Sequence, residues 1–307
     1  MTALGACDLG TVGSECQVDV PMEVVEVDSP TDADLHATDG SIVVGEQGTV
    51  LRRNGDMGWA AVSFPVVADL YGIASHLHED GSSALMVVGA AGTIAVSEDG
   101  GATWRTAEPP TSLDLLAVVR APEAWIAVGD GVALWSAEGS DWSMAALPRD
   151  ARLNAVAVSG EQVWAVGDAG ALLVSDDAGE HWRSVPSPTS ADLFSVTVHQ
   201  SRTTVVGADG VVIAAEAESS ESFSLVDRPW EGDLLGADGN FVVGTNGLVA
   251  RIVGEDDDSE LALEPGGPAL RDIAPGAGGK LVVGDRGTIL ELVPGPASSE
   301  CRPTFGS

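Results

Sequence analysis

Seven times along the chain a Val-Gly-x-x-Gly element returns, at intervals of 37–44 residues. Its first glycines are Gly45, Gly89, Gly129, Gly167, Gly207, Gly244 and Gly284, and its second glycines are Gly48, Gly92, Gly170, Gly210, Gly247 and Gly287. The third repeat departs, since Gly129-Asp130-Gly131 is one residue shorter. The best-kept unit is Leu153 to Val185. Within it Asn154–Val158, Val163–Val166, Ala171–Val174 and His181–Val185 read as four short strands separated by turns. Gly167-Asp168-Ala169-Gly170 is a tight turn whose glycines are free to take positive φ. A four-stranded meander cannot bury both faces alone, but stacked radially with its copies it can. A period of about 40 with β-branched strands and glycine turns predicts an all-β, seven-bladed β-propeller of four-stranded antiparallel blades.

Length alone suggests two domains for 307 residues, but seven such units make one closed ring. The expected division is a tether over residues 1–16, a single propeller over 17–301 and a tail over 302–307. Blades one to six begin at Leu35, Leu70, Leu115, Leu153, Leu193 and Leu234. The seventh, from Leu270, supplies three strands only, and the orphan strand near Met22–Val27 can serve as its fourth. Closing the ring in this way removes both exposed sheet edges. Cys16 precedes the donated strand and Cys301 follows the last one, so a Cys16–Cys301 disulfide is expected. It would contribute about 3–5 kcal/mol if unstrained, and it requires an oxidising compartment.

The formal charge is -33, and Lys280 is the only lysine. Such a surface repels nucleic acid and anionic membranes and favours a basic partner; solubility or a saline habitat is the simpler reading of the charge. No stretch is long and apolar enough to span a bilayer. Leu4-Gly5-Ala6-Cys7 resembles a bacterial lipobox, which implies lipidation at Cys7 after removal of a signal peptide. Only six residues precede Cys7, so no charged or apolar leader region is visible. Export, lipobox and disulfide agree with one another and point to a periplasmic or membrane-anchored lipoprotein.

Ser97-Glu98-Asp99-Gly100-Gly101-Ala102-Thr103-Trp104 fits the Asp-box, Ser-x-Asp-x-Gly-x-Thr-Trp. Ser175, Asp177, Gly179 and Trp182 repeat it with His181 in place of Thr. Worn copies end at Trp59 and Trp142, while Phe223 and Leu261 stand near the Trp position in blades five and six. A short acid caps turn amides, glycine takes the strained position and Trp packs beneath the hairpin, so the box is a folding element. Val-Gly-x-x-Gly followed by an Asp-box resembles the photosystem II stability/assembly factor-like propellers over roughly Leu35–Val293. The resemblance implies an assembly factor that docks protein partners through a basic patch; here the 14 basic residues are scattered among 47 acidic ones.

The Asp-box also occurs in sialidases, whose resemblance implies a Tyr nucleophile and an arginine triad. Tyr71 is the only tyrosine, and Arg271 and Arg120 are the arginines on comparable first strands, so no triad assembles. His76-Leu77-His78-Glu79-Asp80 carries metal-ligand types but reads as a solvated loop. Asp256-Asp257-Asp258 lacks the spacing of a Ca²⁺ loop. No metal, cofactor or catalytic group is assigned. The column after each leading leucine reads His36, Tyr71, Leu116, Asn154, Phe194, Leu235 and Arg271, and the next is small apart from Asp272. His36, Tyr71, Asn154, Phe194 and Arg271 are expected to line one mouth of the central channel as a ligand or peptide pocket; a tolerant position near strand ends is the simpler alternative. The expected function is that of a monomeric, non-catalytic protein- or peptide-docking scaffold, with carbohydrate binding or sialidase-like hydrolysis as the runner-up. Trp125, Trp135, Trp164 and Trp230 would have to face an open cleft for a sugar platform.

Overall fold

Strands such as Val163–Val166 are apolar at every position, so they need cover on both faces. In a computed structural model of the chain they obtain it from the neighbouring blades. The structure describes residues 22–55, 58–78, 81–199, 202–216, 222–228, 230–252, 259–260 and 266–295. Cys7, Cys16, Cys301, Leu261 and Asp256–Asp258 lie outside them, as do Glu79 and Asp80.

The described strands form seven four-stranded antiparallel sheets. Six are sequential meanders. The seventh takes its outer strand from the chain's start: Met22–Glu26 pairs with Ile289–Pro294, Met22 opposite Pro294 and Glu26 opposite Leu290. The predicted closure is therefore the observed one. Seven apolar clusters fill the seven joints between blades, each built from the facing strands of two neighbours. The core is thus a ring of wedges.

The repeated glycines act differently from the sequence expectation. The first of each pair is extended, as at Gly167 with φ -172, and needs no special backbone conformation. A Cβ there would lie 1.9 Å from the Arg152 carbonyl oxygen, so close approach excludes any side chain. Left-handed backbone falls on the next-to-last and last residues of the turn, as at Ala169 (φ 51) and Gly170 (φ 66).

The turns before the outermost strands of blades two and four match each other. Ser97 Oγ donates to Asp99 Oδ1 at 2.8 Å and accepts the Gly101 N–H at 2.8 Å. Asp99 then accepts both the N–H and the hydroxyl of Thr103. These bonds, the Thr103 hydroxyl first, hold the Asp99 carboxyl at a pKa of about 2. Ser175, Asp177 and His181 repeat the arrangement, with the His181 ring at 2.7 Å from Asp177 Oδ2. Burial works against the Asp177 carboxylate, but the His181 and Ser175 bonds outweigh it and lower its pKa. Trp182 Nε1 donates to the Gly179 carbonyl oxygen at 3.0 Å, and its ring fills the joint with blade three.

Candidate functional site

Each blade's leading leucine pairs with the first glycine of its turn, as Leu35 does with Gly45 and Leu70 with Gly89. The ladder then skips one residue before pairing resumes at Ala37, Gly72, Ala117, Ala155, Ser195, Gly236 and Asp272. The skipped residues are His36, Tyr71, Leu116, Asn154, Phe194, Leu235 and Arg271. A β-bulge leaves its extra residue unpaired and re-aims its side chain. Seven bulges at equivalent positions of a closed ring therefore deliver seven side chains to one place. Together with Arg152 and Asp168, these seven line a half-open cavity of about 400 Å³. The structure thus brings together all five residues expected at the channel mouth. Beneath them the first strands crowd one another: a Cβ on Gly72 would stand 3.0 Å from Ala117 Cα, and one on Gly236 2.9 Å from the Arg271 carbonyl oxygen.

The lining is sided. Arg271, His36 and Tyr71 come from consecutive blades and make a polar arc. Phe194 and Leu235 make an apolar one, with Asn154 and Leu116 completing the circle. The polar groups are positioned by their neighbours. His36 Nδ1 donates to the Leu70 carbonyl oxygen at 2.9 Å, and its ring lies 5.3 Å from that of Tyr71. Asn154 Nδ2 donates to the equivalent Leu193 carbonyl and to Asp168 Oδ1, each at 2.9 Å. Arg271 Nε pairs with Asp285, and its Nη2 stands 3.9 Å from Asp34. Arg152 donates to Asn154 Oδ1 at 3.2 Å and to Asp130 at 2.6 Å.

The residue before each leading leucine escaped the sequence reading. Asp34, Asp69, Asp114, Asp192 and Asp233 each use a carboxylate oxygen to accept a backbone N–H from the preceding blade's turn, at 2.7–3.1 Å. Their own carbonyls accept an N–H from their own blade's turn, as Asp192 does from Ala208 at 2.8 Å. One residue thus locks two turns together. At the short third turn Arg152 occupies the aspartate's place and reaches Asp130 instead. The signal was legible as Asp-Leu recurring at five of seven blade starts. The consequence is a rim of carboxylates on the mouth face. Burial first, then Asp69 and Asp114, raise the Tyr71 pKa, with Arg152 opposing them. Arg271 and Arg152 are each neutralised by aspartates, so the mouth as a whole favours a cation.

The tryptophans do not serve this cavity. Trp125, Trp164 and Trp230 are buried between blades, Trp164 at 0% exposure. Trp135 packs against the cluster joining blades three and four. Phe223 takes the Trp role in blade five, edge-on to Trp164 at 5.3 Å. Among the described residues no group of three or more metal-ligating side chains is assembled. None of the described helices is long and apolar enough to cross a membrane.

No family model matches the chain, and no curated protein matches its sequence. Solved structures do match. YCF48 from Cyanidioschyzon merolae is 19% identical at a TM-score of 0.71, over 88% of this chain and 98% of its own. YCF48 bound to a D1 peptide is 14% identical at a TM-score of 0.71, over 94% and 100% of the two chains. Virginiamycin B lyase from Staphylococcus aureus is 11% identical at a TM-score of 0.73, over 90% and 99%. At these identities the likeness establishes the seven-bladed fold, which is common to a peptide-bound propeller and to an enzyme.

Proposed function

We propose that this chain is a non-catalytic docking platform that takes a segment of another protein at its channel mouth. The observation that carries the reading is the set of seven bulges that turn seven side chains of six types toward one cavity. The next column is small apart from Asp272, as close packing demands; this one mixes aromatic, polar, charged and apolar residues. Its carboxylate rim and apolar arc suit an extended segment with a lysine or arginine beside an apolar residue. Val67, 87% exposed, and Leu113, 45% exposed, stand on the connections flanking blade two and offer further apolar surface. A peptide on a propeller of this fold, in the YCF48 complex, lends the reading support by analogy. A sugar platform has lost its best candidates, because Trp125, Trp164 and Trp230 are buried and Trp135, partly buried, packs against the joint between blades three and four.

The mouth reading is tested by presenting the full chain with a randomised peptide library at moderate salt. Selected peptides are expected to be enriched in basic and apolar residues, and their binding to be lost in the Tyr71→Ala/Phe194→Ala double variant. Selection of no peptide above background, or binding unchanged in that variant, would overturn it. Export and lipidation at Cys7, together with hairpin turns that act as Asp-boxes, complete the proposal. They rest on Leu4–Cys7 and on the Ser97–Trp104 and Ser175–Trp182 patterns. Mass measurement of the mature N-terminus from envelope fractions tests the first.

A further inference from the structure

The first strand of blade two runs from Leu70 to Leu77, longer than its counterpart in blade one, Leu35–Thr38. Its end carries His76, with His78 just beyond. Two residues apart on extended backbone, their side chains share one face. Their ring centroids lie 4.8 Å apart at an interplanar angle of 83°. His76 is steadied from behind by an edge-on contact with Trp125 of blade three, at 6.3 Å between centroids. His78 is exposed, and its backbone is fixed by a tight reversal. The His78 N–H donates to the Ser82 carbonyl at 2.8 Å, and the Gly81 N–H donates to the His78 carbonyl at 3.0 Å.

Two other histidines hold hydrogen bonds through their rings. His36 is bonded to the Leu70 carbonyl and His181 to Asp177. Among the described residues no hydrogen bond or ion pair engages a ring nitrogen of His76 or His78. The two rings meet edge to face, one backed by Trp125 and the other open to water, within reach of a shared ion. We propose that His76 and His78 together bind a divalent transition-metal ion, Cu²⁺ most tightly and Ni²⁺ or Zn²⁺ less so. Paired neutral imidazoles suit these borderline ions, and the order follows their general affinity for nitrogen ligands. The formal charge of -33 adds a long-range attraction for any cation. The Arg120 guanidinium, 5.5 Å from the Trp125 ring, opposes it locally. Because no third ligand joins the pair among the described residues, water completes the coordination shell and the ion exchanges readily.

The test titrates the full chain with Cu²⁺ alone at neutral pH, in a non-chelating buffer with excess Mg²⁺ to occupy carboxylates. Calorimetry, tryptophan emission and electron paramagnetic resonance are read together. One ion per chain is expected, with two-nitrogen splitting and partial quenching of emission, since Trp125 touches His76. His76→Gln and His78→Gln should each weaken binding by roughly tenfold or more, about 1.4 kcal/mol, with the circular dichroism unchanged. Arg120→Gln should tighten it. Absence of saturable binding, unchanged binding in the His76→Gln/His78→Gln variant, or retention in either single variant would overturn the proposal.

Discussion

Asp272 is the exception in a column of small residues, and it shows how one side chain can alter the ring's behaviour. It stands at the seam between blades seven and one, where its carboxylate accepts the Thr38 N–H at 2.9 Å and the Ile273 N–H at 2.9 Å. Ser195 makes the equivalent link to Ala237 without a charge. Burial raises the Asp272 pKa to about 7, with Asp238 adding to it, while the two N–H bonds only partly offset the cost. Between the unfolded value of 3.8 and about 7, the folded chain holds a proton that the unfolded chain has lost. Stability therefore falls as pH rises through that window, and the cost is fully present above it. Asp272→Ser keeps an acceptor for Thr38. Urea midpoints of that variant should be flatter between about pH 4 and 7, and higher than wild type at about pH 8. A parallel pair of profiles would refute the assignment. The aspartates at blade starts stabilise the ring by accepting backbone N–H groups of the preceding blade's turn. Asp192→Ala strands the Ala169 N–H and should cost about 0.5–2 kcal/mol by the same measurement, as loss of a capping side chain does.

At the scale of the element, the hairpin tips carry more than their own turn. Gly101, Gly139 and Gly179 sit at such tips with φ of +80, +77 and +89. A Cβ on Gly179 would come within 2.8 Å of Ile126 on blade three, and one on Gly101 within 2.5 Å of Ile42 on blade one. Each tip thus packs onto the blade before it. Gly160 is also left-handed, at φ +63, but faces open space. Gly160→Ala should cost about 1–2 kcal/mol for the backbone alone. Gly179→Ala should cost about 1–3 kcal/mol more, from overpacking. Equal losses in chemical denaturation would show that the tip does not bear on Ile126. The box-like spacing of Ser, Asp, Gly and Trp made these turns legible in the sequence. The bulges after each leading leucine were not legible, because a skipped ladder position leaves no composition of its own. Only the mixed character of the column hinted at them.

For the whole molecule, stability is a matter of closure. Met22 and Val24 pack against the cluster between blades six and seven, and their strand covers the edge of Ile289–Pro294. A chain lacking residues up to 27 would expose that edge. Light scattering after size exclusion should find oligomers where the full chain runs as one species; a monodisperse product of unchanged melting temperature would contradict the role of the strand. Met22 stands opposite Pro294 at the edge of blade seven, and Cys16 and Cys301 lie outside the described residues. Non-reducing peptide mapping of protein kept under oxidising conditions tests the expected bridge: a Cys16–Cys301 peptide would support it, whereas three free thiols would exclude it.

The sequence by itself determined the number of blades, their four-strand make-up and the strand that seals the ring. Each of these is written in short-range periodicity and in turn glycines, and such local patterns survive without knowledge of neighbours. It also indicated the mouth column, though not why those side chains converge. Only the tertiary structure decided that Asp34, Asp69, Asp114, Asp192 and Asp233 lock adjacent turns, that four tryptophans are packing groups, and that His76 meets His78 against Trp125. Those relations join residues of different blades, and the angle at which one wedge meets the next is set by the closing of the whole ring.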